Sequence, residues 1–253
     1  MQIEFLGTAG YHPNAQRHTS CSYVTGIPQT VDCAIVLDAG TGLFRLIGRD
    51  LPKTLHIVLS HAHLDHVSGL TYLLNLLWER DTKAIIYGDA ATLDVVQNSL
   101  FDSPLFPLPL SWPTVTIEPE TPFEICGAQV NTFLLTHPGG SLAYRFNWPG
   151  KSLAYVTDTA GDGRYLDFVR GVDLLVHERN FSDSLHEIAA VSGHCTSEQV
   201  LKVVREAQVK NIALTHFNPL TEHEPLEEDS LLASLLDLCP QAVSARDGLV
   251  VEF

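Results

Sequence analysis

Basic residues are scarce in this chain: 15 Lys and Arg stand against 30 Asp and Glu, a formal net charge of −15 with His neutral. Nucleic acids and membrane surfaces both reward a positive field, so the acid excess disfavours a generic binder of either. No apolar run approaches the roughly 18 residues needed to cross a bilayer. The N-terminus, Met1-Gln2-Ile3-Glu4-Phe5, lacks the basic start and long apolar stretch of a signal peptide. The five cysteines (Cys21, Cys33, Cys126, Cys195 and Cys239) are scattered and show no CxxC spacing. A disulfide framework and a thiolate zinc finger are therefore both disfavoured, and a reducing cytoplasm is the expected setting. Low-complexity tracts and short-period repeats are absent. What the chain has in abundance is histidine, 12 residues of it, in 253 residues that are 45% hydrophobic and long enough to bury a substantial core.

The alternation over 1–6 reads as an opening strand, followed by a turn at 7–10, with further strands at 21–24 and 33–37. Apolar spacing predicts a helix over 64–80, with Leu70, Leu73, Leu74, Leu77 and Trp78 as its stripe. A second helix is expected at 92–100. Six prolines between 101 and 122 exclude helix there and mark either a boundary between halves or a loop over a binding site. Trp78, Phe106 and Trp112 read either as pocket walls or as core and loop residues. Strands follow near 129–135, 141–147 and 152–157, the last two joined by a hairpin turn at 148–151. Thr196-Ser197-Glu198-Gln199 is a capping box opening a helix that runs to about 207. A last helix at 226–238 precedes a closing strand at 248–253. Strands followed by helices in each half predict an α/β fold: two mixed sheets face to face, flanked by helices, in one domain (1–253) with halves near 1–120 and 121–253.

Five apolar runs end in a potential ligand. Residues 57–60 run into His61, 133–136 into His137, 153–157 into Asp158, 174–176 into His177 and 212–215 into His216. Short continuous apolar runs suit strands buried on both faces, and strand ends hold side chains more rigidly than loops do. The first run opens into His61-Ala62-His63-Leu64-Asp65-His66. In an extended turn His61 and His63 share a side and suit one ion, while Asp65 and His66, on the first turn of a helix, reach a second. Imidazole and carboxylate without thiolate suit zinc, manganese or iron alike.

His61-x-His63-x-Asp65-His66, followed in order by His137, Asp158 and His216, resembles the metallo-β-lactamase superfamily over nearly the whole chain. Phe5-Leu6-Gly7-Thr8-Ala9-Gly10 resembles the family's opening strand and glycine turn, and Ala245-Arg246-Asp247-Gly248 its C-terminal Ala-x-Asp-Gly signature. The resemblance implies a four-layer αβ/βα sandwich with two divalent ions, zinc foremost and manganese or iron as alternatives, at one edge of the sheets. One ion would take His61, His63 and His137, the other Asp65, His66 and His216, with Asp158 bridging.

Gly193-His194-Cys195-Thr196 and His177-Glu178-Arg179-Asn180-Phe181 resemble the corresponding loops of ribonuclease Z and its phosphodiesterase relatives. The resemblance implies that Glu178 orients His194 toward the leaving oxygen, that Asp65 orients the nucleophile, and that His177 is structural. Arg17 and Arg179 are either phosphate contacts or plain surface ion pairs. An RNA-gripping arm would fall between His137 and Asp158, but only a hairpin's length of chain separates them. In Pro13-Asn14-Ala15-Gln16-Arg17-His18, Ala15 and His18 depart from the family's Pro-x-Lys-x-Arg-Asn loop. These departures and the acid excess disfavour tRNA and favour a small, possibly cyclic, phosphodiester or nucleotide as substrate. Three alternatives stay open: a ribonuclease Z-like RNA 3′-processing endonuclease, a lactone, thioester or β-lactam hydrolase, and a non-catalytic metal-binding accessory protein. No membrane partner is expected, and a homodimer is compatible with the branch.

Overall fold

The structure, a computed structural model of the chain, describes residues 1–28, 30, 32–220 and 225–253. The first half supplies β1 (Gln2–Gly7), β2 (Cys21–Thr25), β3 (Cys33–Leu37), β4 (Thr54–Val58), β5 (Lys83–Gly88) and β6 (Thr114–Thr116). The second supplies β7 (Phe123–Ile125), β8 (Ala128–Leu135), β9 (Ser141–Trp148), β10 (Lys151–Val156), β11 (Leu174–Glu178), β12 (Ile212–Thr215), β13 (Val243–Ser244) and β14 (Val250–Glu252). The helices are α1 (Leu64–Val67), α2 (Leu73–Leu76), α3 (Ala90–Val95), α4 (Leu166–Val169), α5 (His186–Ser192), α6 (Ser197–Ala207) and α7 (Pro225–Leu236).

Two mixed seven-stranded sheets result, in the orders β14-β1-β2-β3-β4-β5-β6 and β13-β12-β11-β10-β9-β8-β7. The expected closing strand, β14, leaves its own half and pairs with β1, Ile3 opposite Val251. One apolar cluster lies between the sheets, where Phe5, Ile35 and Leu37 meet Val130, Leu142 and Tyr144. A second packs Leu70, Leu73 and Leu76 on the outer face of the first sheet. A third packs Val200, Val203 and Val204 of α6 on the outer face of the second. Helix, sheet, sheet and helix make the four layers expected. Each such side chain, fully buried, contributes about 1.5–3 kcal/mol.

α6 opens on the reciprocal capping box the sequence predicts, with the Thr196 N–H donating to Gln199 Oε1 at 2.9 Å. The helix expected over 64–80 does not form as one piece: a 3-10 turn, Ser68–Tyr72, separates α1 from α2. Gly69 gives the reason. Its N–H donates to the Ala39 carbonyl at 2.8 Å, and a Cβ there would stand 2.1 Å from the Gly40 oxygen. The chain is pinned to residues 39–40 and cannot keep α-helical pitch. Leu70, Leu73 and Leu76 face the core, whereas Leu74 and Trp78 face solvent.

The proline-rich stretch carries β6 and no helix, and it leads from the edge of one sheet to the edge of the other. Phe106 and Trp112 pack on Phe101, with ring centroids 5.2 and 6.1 Å away. The cysteines depart from expectation at one point, since Cys33 and Cys126 form a disulfide while Cys21, Cys195 and Cys239 are free and buried. The partners are 93 residues apart, and packing of the two sheets brings them together, so no spacing in the sequence signals the pair. No helix among the described residues is long and apolar enough to cross a membrane.

Candidate metal centre

Strands β8, β10, β11 and β12 run in one direction, because β9 reverses the chain between β8 and β10 and the rest are parallel. Their C-terminal ends therefore lie on one sheet edge. His137, Asp158 and His216 follow β8, β10 and β12, and β4 of the facing sheet delivers His61 to the same cleft. Asp158 and His216 take positive φ, 41° and 58°, as does Asp38 after β3, at 56°. A left-handed residue at a strand end turns its side chain over the edge. For a non-glycine residue such a conformation costs on the order of 1–3 kcal/mol and persists only where the surroundings enforce it.

Two sets of donor atoms form, each lying within 4.8 Å: His61, His63, His137 and Asp158, and Asp65, His66, Asp158 and His216. Asp158 belongs to both and divides its oxygens between them. Its Oδ2 lies 3.6 Å from His61 Nε2 and 3.5 Å from His137 Nε2. Its Oδ1 lies 3.3 Å from His66 Nε2 and 3.1 Å from His216 Nε2. Asp65 Oδ2 completes the second set at 3.3 Å from both imidazoles. Tetrahedral bonds of about 2.1 Å to zinc put neighbouring ligand atoms about 3.4 Å apart, the spacing seen here.

Other observations point to cations. His61 Nε2 is buried with no hydrogen-bond partner. His66 and His216 face each other Nε2 to Nε2 at 3.2 Å, where two lone pairs would repel without a proton or a cation between them. Burial pushes the His61 and His63 imidazoles below their ordinary range, into the neutral form that ligates metals. Burial opposes ionisation of Asp65 as well, but the adjoining His66 and His216 prevail and hold its carboxyl well below the usual range.

The ring nitrogen turned away from the cleft is braced in each of four histidines. His61 Nδ1 lies 3.0 Å from Ser60 Oγ, His137 Nδ1 donates to the Gly193 carbonyl at 3.0 Å, and His216 Nδ1 lies 3.0 Å from the Asn180 amide. His66 Nδ1 meets Asp38 Oδ2 at 2.8 Å. For His61, His66 and His137 the outer partner is an acceptor oxygen, which keeps a proton on Nδ1 and aims Nε2 inward, whereas the Asn180 amide donates to His216 Nδ1 and fixes that ring's orientation. Sequence reasoning missed Asp38 and Asn180. Asp38 accepts the Ser60 N–H at 2.7 Å and the Tyr155 hydroxyl at 2.7 Å, with no exposure to solvent. A signal for it existed: an apolar run, 33–37, ends in a carboxylate like the others. Asn180 had none, since its role depends on meeting a residue 36 positions away.

The opening and closing motifs explain each other. Asp247 accepts the Thr8 hydroxyl at 2.8 Å and the His18 N–H at 2.7 Å. The loop it anchors brings the Tyr11 N–H to Asp65 Oδ2 at 2.7 Å, and a Cβ on Gly10 would stand 2.4 Å from His216 Cε1. Arg17, half-buried, donates to Thr8 Oγ1 and the Ala245 carbonyl and lies 4.4 Å over the Phe217 ring. Arg179 is buried, with its Nε donating to Ser197 Oγ at 2.9 Å. His177 points away from the cluster to the Tyr165 hydroxyl, at 2.8 Å, in the structural place expected of it.

Glu178 faces the other way and holds His194, whose Nδ1 lies 3.0 Å from Oε2, beside His137 and His216. Burial lowers the His194 pKa, but the carboxylate outweighs it and lifts the value to about 9. A folded value raised above about 6.5 stabilises the fold fully below pH 6.5, and that stabilisation fades as pH climbs through 9. In chelated protein, Glu178→Gln is expected to bring the His194 midpoint down toward or below 6.5, read by NMR titration. The fall in melting temperature between pH 6.5 and 9 should become shallower in the same variant.

A family model described as a beta-lactamase superfamily domain matches residues 34–217. Ribonuclease Z of Methanopyrus kandleri is 30% identical over 98% of this chain and 96% of its own. The metallo-β-lactamase fold protein YhfI of Bacillus subtilis superposes with a TM-score of 0.79 at 22% identity, covering 99% of both chains. A diphosphatase of the PhnP family superposes with a TM-score of 0.73 at 19% identity, covering 100% of this chain and 96% of that one. Fold and relatives together define a metal-dependent hydrolase. The chain belongs to the metallo-β-lactamase superfamily, in its ribonuclease Z branch.

Proposed function

We propose that the protein is a dimetal phosphodiesterase acting on a small phosphodiester, with His61, His63, His137 and Asp158 holding one divalent ion and Asp65, His66, Asp158 and His216 the other. The imidazole and carboxylate donors suit zinc, manganese or iron, with zinc placed first by the family resemblance. Bound there, such ions supply Lewis acidity and water activation near neutral pH. Asp65, ionised and fixed by the Tyr11 N–H, orients the attacking water as a hydrogen-bond acceptor. His194 keeps its Nδ1–H on Glu178 and presents Nε2 to the leaving oxygen, to which it donates a proton. The observation that carries the phosphodiester reading is this His194–Glu178 pair, set within 4.8 Å of His216.

The Methanopyrus relative favours a second reading, that of a ribonuclease. Against a long RNA stand the acid excess, the burial of Arg179 and the 137–158 segment, which β9 and β10 fill. Turnover of bis(p-nitrophenyl) phosphate should fall to background after chelation and return with zinc or manganese. Full activity in chelated protein would remove the dimetal reading. Cleavage of a structured RNA at higher kcat/KM than any small diester would move the assignment to a ribonuclease.

A further inference from the structure

We propose that the cavity beside His61 and His63 is a subsite for one uncharged planar ring, carried on the ester group that stays with phosphorus. The inference rests on the phosphodiesterase reading. The cavity holds about 250 Å³ and is walled by Ala62, Ala91, Thr92, Val95, Gly139 and Gly140. Of the two donor sets it abuts His61 and His63 alone, whereas His194 lies against His137 and His216 and lines none of it. A phosphodiester lying across both sets, with its leaving oxygen at His194, directs its retained group into this cavity.

The walls select the chemistry. Apart from the two imidazoles, no ionisable side chain lines the space, so a charged group entering it would lose water without gaining a partner. Ala91 and Val95, four residues apart on α3, present a short aliphatic face on one side. The opposite side is bare backbone. Gly139 and Gly140 hold φ of 84° and 83°, and the Gly140 N–H bonds to the His137 carbonyl at 2.9 Å, fixing this wall to the centre. An apolar cavity of about 150 Å³ takes benzene, so this one has room for a single substituted ring or nucleobase and not for two.

Ala91→Trp, at an exposed helix position, tests the assignment in zinc-loaded protein. Bis(p-nitrophenyl) phosphate and methyl p-nitrophenyl phosphate share a leaving group and differ only in the retained one. The expected result is that the substitution lowers kcat/KM on the aryl ester at least tenfold more than on the methyl ester, mainly through KM. Val95→Trp should repeat the pattern, and two metal ions per chain in each variant should show that the centre has folded. Thymidine 5′-(p-nitrophenyl phosphate) distinguishes the ring's source: a loss in Ala91→Trp as large as the aryl ester's assigns a nucleobase, and a loss matching the methyl ester's assigns a simple aryl group. Equal losses on the aryl and methyl esters in both variants would overturn the subsite alone. No hydrolysis of any ester by the metal-loaded wild type would overturn the phosphodiesterase reading, and the subsite with it.

Discussion

Asp158→Asn is expected to lower kcat/KM on bis(p-nitrophenyl) phosphate by roughly 10³-fold or more, since groups that merely support metal ligands already cost 10–100-fold. Metal content, measured by mass spectrometry on the purified protein, should drop from two ions per chain to one or fewer. The substitution is chosen for what it preserves. Asn fills the same volume and is among the few residues that tolerate positive φ, so the turn at φ 41° survives. What changes is one oxygen, which becomes an amide that donates toward imidazole nitrogens 3.1–3.6 Å away. One of the two sets then faces a donor where it needs an acceptor. Two ions per chain with activity within threefold of wild type would show that Asp158 is not shared.

His194→Ala should reveal its chemistry through the leaving group. Proton donation contributes on the order of 10²–10⁴-fold, and only where the departing oxygen needs the proton. An alkyl or nucleoside diester should therefore lose about that factor in kcat, while an ester that releases p-nitrophenolate should lose far less. A plot of log kcat against leaving-group pKa is expected to be steeper for the variant. Glu178→Gln should steepen it less, because the imidazole remains and only its orientation and basicity change. Parallel lines for wild type and variant would make His194 a binding contact and not a proton donor.

The strand ends that bring the two donor sets together were legible because each is a run of buried residues broken by one polar side chain, a pattern local to the sequence. So was the capping box before α6, which four consecutive residues define. The broken helix at 64–80 was not, since its cause is the approach of Gly69 to the backbone of residues 39–40, and apolar spacing carries no trace of such a contact. Asn180 and the Cys33–Cys126 pair were hidden for the same reason: each depends on a partner that only the packed sheets supply. Asp38 was within reach and passed over because it stands in no histidine-rich motif.

The pairing of β1 with β14 also constrains how the protein is made. Ile3 waits for Val251, and Thr8 and His18 wait for Asp247, so nearly the whole chain must leave the ribosome before the first sheet can close. Pairings this distant in sequence form slowly and leave sheet edges exposed in the meantime. A chain cut before residue 245 would carry every side chain of the two donor sets and still lack the Asp247 contacts that seat the loop against Asp65.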